Sequence, residues 1–338
     1  MIELENVTIK YGSVIVIKDL SLTIDRKEFF TLLGSSGCGK TTLLRAIAGF
    51  VKPSSGRIVI DGKDVTSIGP EERDVGIVFQ NYALFPHMTV FENVAFGLRV
   101  ARKSRSEIAS EVNAILERVG IFEHTQKKPS ELSGGQQQRV AIARALVLGA
   151  QVILLDEPLS NLDAKMRETM RSEIRSIQQR FGLTAVYVTH DQQEALVLSD
   201  RVAVLFDGAI EQLGTPRQIY HQPATQNIYR FVGECTELTA ETLKELGEDQ
   251  LLSSAGEGSL FTRPEDFILG AQQGSEWLVL NARLTRSEFR GSSLRLTLEV
   301  GDSTIHCDAH GRHQAPEIGT EQPVSIRRSN IVSYGDSP

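Results

Sequence analysis

The chain has 338 residues, of which 41% are apolar and 23% are charged, so it is long enough for two globular domains with separate cores. Its formal net charge of −7 provides no general basic field, which argues against nucleic acid as a partner. Its cysteines, Cys38, Cys235 and Cys307, lie far apart and indicate neither a disulfide framework nor a metal site. No apolar run approaches the roughly 18 residues that cross a bilayer, so we expect a cytoplasmic protein that reaches a membrane only through a partner.

The chain opens with two predicted strands, over 2–10 and 14–24, which are joined by a turn at Tyr11 and Gly12. Tyr11 can stack its ring on the flat face of an adenine. A tyrosine in a turn is more often a partly buried ring without a ligand, and Tyr11 alone does not decide between these alternatives. The motifs that follow it favour adenine.

A glycine-rich loop with the sequence GSSGCGKTT follows at 34–42. The apolar run 29–33 before it predicts a buried strand, and 43–48 after it predicts a helix that ends at Gly49. This order of strand, glycine loop, Lys-Thr and helix is typical of a phosphate-binding loop, because glycines let backbone N–H groups turn inward and the helix adds its N-terminal dipole. The loop alone fits a kinase, a GTPase, a helicase or a transporter ATPase.

Each residue of this loop is predicted to contact a bound nucleotide. Lys40 is expected to reach the β- and γ-phosphates, the Thr41 hydroxyl to bind Mg²⁺, and Thr42 to support an inner phosphate. The residues of the predicted phosphate site are Gly34, Ser35, Ser36, Gly37, Cys38, Gly39, Lys40, Thr41 and Thr42.

Gln80 ends a predicted strand over 75–79. Its carbonyl oxygen can reach Mg²⁺ or a water, although a glutamine at this place is more often a polar strand terminus and nothing more. Residues 81–87 have the turn chemistry of a mobile surface connection. From about 87 to 150 the pattern predicts a helical subdomain, in which a helix over 106–119 has its apolar residues on one face.

The sequence LSGGQ, at 132–136, precedes a predicted helix over 140–148. Its residues place free N–H groups at a helix start, and such groups can form a second anion site. One nucleotide does not need two sites of this kind, and a plain Ser-Gly helix cap is the alternative for this segment alone. The residues of the second predicted site are Ser133, Gly134, Gly135 and Gln136.

The apolar run 152–155 predicts a strand that is buried on both faces and ends in two carboxylates, Asp156 and Glu157. Such strands belong to parallel sheets, whose ligands gather at the carboxyl ends of the strands. Asp156 is predicted to hold Mg²⁺, while Glu157 points elsewhere and orients or deprotonates the water that attacks the γ-phosphate. His190 follows a further buried strand over 184–189 and is predicted to contact the γ-phosphate.

Between these strands, residues 160–163 form a predicted turn that caps a helix over 164–180. A strand over 201–206 is predicted to be the last of the N-terminal domain, and a turn at 207–208 follows it. The helix carries an apolar stripe that predicts core packing and consists of Met166, Met170, Ile174, Ile177 and Phe181.

The composition changes near residue 234. A polar helix is predicted over 239–246 and a Ser-Gly-rich connection at 253–258, and turns at 301–302 and 311–312 separate short strands. This pattern predicts a small β-barrel of about 100 residues without a catalytic constellation. The residues that alternate most strictly in it are Leu294, Leu296, Leu298 and Val300.

Taken in order, the motifs of residues 1–233 resemble the ATP-binding subunit of an ATP-binding cassette (ABC) transporter. The segment 132–136 matches the family's LSGGQ signature in full. The resemblance implies that Tyr11 stacks on adenine, that Gln80 is the Q-loop glutamine and that His190 is the switch histidine. The residues that correspond to the family's D-loop are Ser160, Asn161, Leu162 and Asp163, of which Asp163 belongs to the nucleotide site and Asn161 is a tolerated variation.

The fold implied by the resemblance is an α/β P-loop NTPase cassette domain with a helical subdomain, followed over 234–338 by a small all-β OB-like barrel domain. The family architecture also accounts for two anion sites, because two copies face each other head to tail in a C₂ dimer. ATP held by 34–42 of one copy is then covered by 133–136 of the other. Residues 81–87 are the best candidates for the surface that receives helices from membrane-spanning partners.

The C-terminal extension resembles the regulatory domain of import subunits for sugars, polyamines, ferric iron, sulfate and phosphonates. The stretches 64–66 and 82–90 look most like polyamine and ferric-iron importers. These resemblances imply an ATPase at the cytoplasmic face of the membrane, with ATP and Mg²⁺ as cofactors, that works with two permease subunits and, indirectly, a solute-binding protein. The alternatives are an importer ATPase for phosphonate, sulfate or sugar, a soluble ABC ATPase acting on ribosomes or DNA, and a regulatory protein that sequesters a partner through 234–338.

Overall fold

The computed structural model of the chain describes residues 1–239, 260–311 and 313–334. The chain divides into two compact units, Met1–Gln222 and Pro223–Pro338. This division lies upstream of the domain boundary that the sequence predicts. Three predicted C-terminal features lie outside the described residues. They are the polar helix from residue 240 onward, the Ser-Gly-rich connection at 253–258, and Arg312 of the last turn.

The strands of the first unit form two sheets, one antiparallel and one mostly parallel. The antiparallel sheet has the order β2-β1-β4-β5, and the larger sheet has the order β10-β9-β3-β8-β7-β6. The strands are β1 Ile2–Tyr11, β2 Val14–Ile24, β3 Phe29–Gly34, β4 Ser55–Ile60, β5 Lys63–Asp64, β6 Val75–Val78, β7 Val152–Asp156, β8 Thr184–Thr189, β9 Arg201–Phe206 and β10 Ala209–Gly214.

The larger sheet is parallel from β6 to β9, and β10 pairs antiparallel with β9. β3 lies between β8 and β9, with Leu33 opposite Thr189 and Val204, so the phosphate loop leaves the centre of the sheet. Asp156, the last residue of β7, pairs with Val188 of β8. This register gathers the carboxyl ends of β3, β7 and β8 at one edge.

The helices of the first unit cover the larger sheet and form the predicted helical subdomain. Threonine or serine caps begin α2, α3 and α4, each with a glutamate or glutamine that completes a capping box. No helix among the described residues is long and apolar enough to cross a bilayer. The helices are α1 Lys40–Ala48, α2 Val90–Val100, α3 Arg105–Arg118, α4 Gly134–Leu146, α5 Ala164–Phe181, α6 Gln192–Leu198 and α7 Pro216–His221.

Two predicted boundaries of the first unit are wrong. α4 begins at Gly134 and not at 140, because the Ser133 hydroxyl accepts a hydrogen bond from the Gln136 N–H and starts the helix before its apolar positions. The strand over 201–206 is not the last, because the turn at 207–208 leads into β10, whose residues are mostly half-buried. A strand of that kind has no strong apolar pattern.

The core lies on both faces of the larger sheet. Consecutive residues of β3 belong to different apolar clusters, since Phe29 packs with the helical subdomain and α5, while Phe30 packs with α1 and the antiparallel sheet. The predicted stripe of α5 is confirmed as core packing, with Met170, Ile174 and Ile177 buried. Both faces of the sheet are therefore covered, which accounts for its nearly continuous apolar strands.

The second unit is a β structure with a short helix at its start, and the all-β class predicted for it is confirmed. Its sheets have the orders β11-β12-β18 and β13-β17-β14-β15-β16. The alternation predicted at 294–300 is confirmed, because those four residues are buried in its apolar core. Its described elements are α8 Gln226–Phe231, β11 Thr236–Leu238, β12 Leu260–Thr262, β13 Phe267–Leu269, β14 Trp277–Phe289, β15 Ser293–Val300, β16 Ser303–His310, β17 Glu321–Arg327 and β18 Val332–Ser333.

Candidate nucleotide site

The phosphate loop joins the central strand β3 to α1. Gly39, the residue before the helix, has a φ of +102°, a left-handed conformation that glycine adopts without strain. A Cβ on Gly34 would come within 2.5 Å of the Leu205 carbonyl oxygen, so the loop also needs glycine for close packing on β9. Because α1 begins at Lys40, the loop lies directly before the helix N-terminus, whose free N–H groups suit an anion.

Lys40 carries a buried positive charge at the base of this loop. Its side chain is 5% exposed, and its Nζ donates to the carbonyl oxygens of Gly34 and Ser35, each at 2.7 Å. The buried Sγ of Cys38 lies 3.7 Å from the same nitrogen. Carbonyl oxygens orient an ammonium group without neutralising it, so a phosphate group is the natural counter-charge at this place.

Thr41 and Asp156 meet at the carboxyl end of β7. The Thr41 hydroxyl donates to Asp156 Oδ1 at 2.9 Å. Burial raises the pKa of the Asp156 carboxyl above its usual value, and the bond from Thr41 and the nearby Arg45 cation oppose this shift. A hydroxyl and a carboxylate side by side next to a phosphate loop are hard oxygen ligands of the kind that Mg²⁺ prefers, so the residues present fit this ion.

Glu157 lies between the two other residues that were predicted to be catalytic. Its Oε1 is 3.1 Å from His190 Nδ1, and its Oε2 is 3.4 Å from Gln80 Nε2. Its backbone has a φ of +44° and its N–H donates to the Val188 carbonyl oxygen. The left-handed turn directs the Glu157 side chain away from Asp156, so the adjacent carboxylates have different neighbours.

A buried hydroxyl and carboxylate support the turn that carries His190. Thr189 Oγ1 donates to Glu194 Oε2 at 2.6 Å and accepts from the Asp191 N–H at 2.9 Å. The Tyr187 hydroxyl donates to the same oxygen of Glu194 at 2.8 Å, and burial raises the pKa of that hydroxyl well above its usual value. His190 itself is mostly exposed, so these bonds fix its backbone and leave its ring accessible.

Sequence reasoning missed one side chain near Gln80, that of Arg45, and one contact of Gln80, that with Asn161. Arg45 lines a cleft of about 640 Å³ together with Gln80, Asp156 and Asn161. Asn161 Nδ2 donates to the Gln80 carbonyl oxygen at 3.0 Å, so the residue that differs from the family pattern has a specific contact. The place of Arg45 on α1, shortly after the Lys-Thr pair, is only a weak sequence signal for a role at the site. The contact of Asn161 joins residues 81 positions apart, so no local sequence pattern predicts it.

The LSGGQ segment has a different local environment. Ser133 caps α4, and Gln136 Nε2 lies 3.0 Å from His124 Nε2 within the helical subdomain. A Cβ on Gly134 would lie 2.5 Å from Leu162 Cδ2, and one on Gly135 would lie 2.8 Å from the Met170 sulfur. The glycines therefore allow α4 to pack closely against the D-loop and α5.

Two further predicted site residues lie at the ends of secondary structure. Tyr11 is the last residue of β1 rather than part of the turn, and its side chain is 51% exposed. Asp163 caps α5, with its Oδ1 accepting from the Met166 N–H at 2.9 Å. The structure thus brings together the phosphate loop, the strand ends at Asp156 and Glu157, and Gln80 and His190, while the bonds of Ser133 and Gln136 stay within the helical subdomain.

This arrangement defines a P-loop ATPase of the cassette type. Residues 17–160 match the family described as ABC transporter, and residues 260–332 match the TOBE domain. The chain is also 34% identical to two solved structures, a dimeric bacterial ABC transporter cassette and the same cassette as a dimer bound to ADP and phosphate after hydrolysis. Each of the two matches has a TM-score of 0.56 and covers 64% of this chain and 99% of the solved cassette.

Full-length relatives extend the similarity through the second unit. The chain is 52% identical to the Fe(3+) ions import ATP-binding protein FbpC of Brucella melitensis biotype 1, over 98% of this chain and 94% of that protein. It is 45% identical to an uncharacterized ABC transporter ATP-binding protein, y4fO, of Sinorhizobium fredii, over 97% and 93% of the two chains. The spermidine/putrescine import ATP-binding protein PotA of Aggregatibacter actinomycetemcomitans is 49% identical, over 75% of this chain and 68% of that protein.

The chain therefore belongs to the ATP-binding proteins of ABC transporters, with a cassette domain and a TOBE domain. It binds and hydrolyses ATP, as the cassette family does. The sequence prediction of family, fold class and ATPase activity is confirmed.

Proposed function

We propose that this chain energises solute import, and that Glu157, Gln80 and His190 act together on the γ-phosphate of ATP. The observation that carries the proposal is the position of Glu157 between Gln80 and His190, beside the pair of Thr41 and Asp156. Glu157 is the general base that takes a proton from the attacking water. Gln80 orients that water through its amide, and the His190 ring holds a γ-phosphate oxygen.

The phosphate loop binds and orients the nucleotide. Lys40 holds the β- and γ-phosphates, and the N–H groups at the start of α1 complete the anion site. Thr41, Asp156 and Gln80 are the residues that hold Mg²⁺, which when bound neutralises charge on the phosphate oxygens. Tyr11, at the exposed end of β1, stacks on the adenine.

The catalytic unit is a homodimer with two equivalent sites. The LSGGQ residues hydrogen-bond within the helical subdomain, which is consistent with their serving the nucleotide of a second copy, and the similar solved cassettes are dimers. Ser133 and the N–H groups after it cover the γ-phosphate held by the other copy, and Asp163 reaches the same interface. Because closure depends on the γ-phosphate, hydrolysis opens the dimer.

The dimer transmits this motion to two membrane-spanning permease subunits at the cytoplasmic face of the membrane. Residues 81–87 form the docking segment, which is supported by their place directly after Gln80 and before α2. A solute-binding protein delivers the solute on the far side. The names of the relatives describe import, which supports a permease partner and an inward direction.

Ferric iron or a polyamine is the proposed solute. The match to the ferric-iron import protein extends over 94% of that relative, while the match to the polyamine import protein covers 68% of it. This difference favours ferric iron as the first candidate. Solute choice is made by the permease and the binding protein, so the solute must be tested in the assembled transporter.

The first experiment is co-purification of the tagged chain from detergent-solubilised native membranes. Two membrane-spanning subunits are expected to accompany it, and ribosomal proteins or DNA-repair factors in their place would overturn the importer proposal. Uptake of radioactive ferric iron and of radioactive putrescine is then measured in cells that lack the chain and carry either the wild type or Glu157→Gln. Only the wild type is expected to restore uptake, and the restored solute identifies the cargo.

A further inference from the structure

The segment after Gln80 has an unusual backbone. Tyr82 and Ala83 are consecutive and have φ values of +59° and +48°, the left-handed region that residues with a Cβ rarely adopt. The turn is closed by hydrogen bonds from the Tyr82 N–H to the Phe79 carbonyl and from the Ala83 N–H to the Asn81 carbonyl. Two strained residues in a row persist only where surrounding contacts hold them.

The Tyr82 side chain also destabilises this conformation of the segment. It is 5% exposed, and among the described residues its hydroxyl has no hydrogen-bond partner. Burial raises the pKa of this hydroxyl above its usual value. A buried hydroxyl without a partner destabilises the conformation that buries it, so side-chain and backbone costs fall on the same residue.

Arg144 supplies the contacts that hold the segment. Its Nη1 donates to the Ala83 carbonyl oxygen at 2.7 Å, and its Nη2 donates to the Tyr82 carbonyl oxygen at 2.8 Å. Its guanidinium carbon also lies 5.6 Å from the centre of the Phe85 ring. Burial lowers the pKa of this guanidinium, and both of its hydrogen bonds are directed at the strained residues.

Arg144 belongs to α4, the helix that begins at Gly134 in the LSGGQ segment. Arg144 lies ten positions after Gly134, which corresponds to about 15 Å along the helix. At its other end, the segment is held by Asn161 of the D-loop, which donates to the Gln80 carbonyl oxygen. Gln80 is therefore fixed from both sides, and one of the two supports moves with the helix that carries LSGGQ.

We propose that Arg144 is a positioning residue for Gln80, which holds Tyr82 and Ala83 in their strained conformation and so keeps the Gln80 amide next to Glu157. This inference rests on the proposed role of Gln80 in hydrolysis. Movement of α4 when its LSGGQ end meets a nucleotide pulls on the two carbonyl groups and shifts Gln80. Arg144 thus couples the two halves of the dimer site within one chain.

The test compares Arg144→Met, Arg144→Lys, Ala83→Gly and the control Arg139→Met, and each arginine variant is also combined with Ala83→Gly. Methionine keeps the apolar stem of the side chain and removes its donors, while lysine keeps the charge but not the two-pronged geometry. Glycine at 83 adopts the left-handed conformation without strain. Arg139→Met is the control, because Arg139 also lies on α4 and donates to a backbone carbonyl, that of Gly120 at 2.9 Å, although it pairs with the Glu173 carboxylate as well.

The readouts are kcat and KM for ATP hydrolysis by the purified full-length chain, with equilibrium ATP binding measured beside them. Arg144→Met is expected to lower kcat about tenfold, because only part of the free energy of its two hydrogen bonds acts on the position of Gln80, with KM and binding changed by less than about twofold. Arg144→Lys is expected to lower kcat less than Arg144→Met does. Ala83→Gly is expected to recover about threefold of the loss in either arginine variant, since glycine removes the strain that Arg144 opposes, but to recover nothing in Arg139→Met.

The proposal is overturned if Ala83→Gly rescues Arg139→Met as well as the Arg144 variants, or rescues none of them. Rescue of every variant would mean that glycine stabilises the fold in general, and rescue of none would mean that the loss in the Arg144 variants arises from helix packing and does not depend on the conformation of Ala83. If Arg144→Met does not fold, Arg144→Lys with and without Ala83→Gly decides the matter. Gln80→Ala separates the two proposals: wild-type turnover in that variant would refute the role of Gln80 itself.

Discussion

Two buried cations, one in each unit of the molecule, are held in opposite ways. In the first unit, Lys40 is 5% exposed and its hydrogen bonds go to carbonyl oxygens of the phosphate loop. In the second unit, Arg295 is 8% exposed and is held by the carboxylates of Asp308 and Glu234, with 2.6 Å between its Nη2 and Asp308 Oδ2. These bonds raise the pKa of the Arg295 guanidinium above its usual value. Carboxylates thus neutralise Arg295, whereas the charge of Lys40 is left for a ligand.

The backbone also differs between the units. In the first unit, nine non-glycine residues have positive φ, of which Glu157, Tyr82 and Ala83 lie next to the nucleotide site. Among the described residues of the second unit, positive φ values occur at glycines alone. Positive φ at a residue with a Cβ costs conformational energy that surrounding contacts must offset, so the first unit carries backbone strain that the described part of the second unit does not.

Glu157→Gln is the change with the largest expected effect. The amide keeps the size of the side chain and can still contact Gln80 and His190, but it cannot accept a proton from water. We expect kcat to fall about a thousandfold while ATP binding is retained. The measurement is steady-state phosphate release together with equilibrium ATP binding.

Glu111→Gln is the control for this substitution, because Glu111 is a partly exposed carboxylate on α3 that lies 3.6 Å from Lys103. Its kcat is expected to stay within about twofold of the wild type. Turnover near the wild-type rate in Glu157→Gln would show that the base is another residue.

The difference between local and distant signals explains what the sequence could predict. Gln80, His190 and the pair at 156–157 each follow an apolar strand, and the loop at 34–42 lies between a strand and a helix, so a few neighbouring positions reveal their place at a sheet edge. Family resemblance then supplied their order. The fold class was predictable for the same reason.

The supports of the site were not predictable, because their contacts join distant positions. Arg144 occupies an ordinary position of α4 and reaches residues 61 and 62 positions away, and Asn161 reaches one 81 positions away. The start of α4 was also missed, since its first turn carries glycines and glutamines without apolar periodicity. The left-handed backbone of Tyr82 and Ala83 could not be predicted, because tyrosine and alanine rarely adopt this conformation.

Asp308→Ala tests the neutralised cation of the second unit. It leaves Arg295 buried with a single carboxylate, that of Glu234, whose side chain is 60% exposed. We expect the free energy of unfolding of this unit to fall by about 3 kcal/mol and the kcat for ATP to stay within about twofold of the wild type. Denaturant unfolding followed by Trp277 fluorescence measures the first, because Trp277 lies in β14 of the same sheet.

Glu288→Ala is the matched control for Asp308→Ala. Glu288 pairs with Arg286 and Arg290 at the surface of the same sheet, where ion pairs contribute little. A loss of less than about 0.5 kcal/mol is expected. Equal losses in the two variants would mean that burial does not distinguish the charges of this unit.

Lys40→Ala is the counterpart of Asp308→Ala in the first unit. It is expected to weaken ATP binding and to leave stability unchanged. Without the ammonium group, ATP affinity is expected to fall about 50-fold, the scale of charged hydrogen bonds to phosphate. The free energy of unfolding without nucleotide should not fall, because the variant no longer buries a cation whose contacts are with carbonyl oxygens and the Cys38 sulfur. Lys52→Ala, at an exposed position after α1, is the control for charge. A destabilised Lys40→Ala that still binds ATP would remove the contrast between the units.

Tyr11→Ala has the smallest expected effect, because the ring is half exposed before any ligand covers it. Loss of one stacked base contact should weaken ATP binding about fivefold, while Tyr11→Phe keeps the ring and the wild-type affinity. Inorganic tripolyphosphate has no base, so its binding should be the same in all three proteins. Equal weakening of ATP and tripolyphosphate by Tyr11→Ala would show that Tyr11 supports the phosphate loop rather than the adenine. In that case the exposed end of β1 would belong with the structural residues of the molecule, and adenine recognition would have to be sought elsewhere.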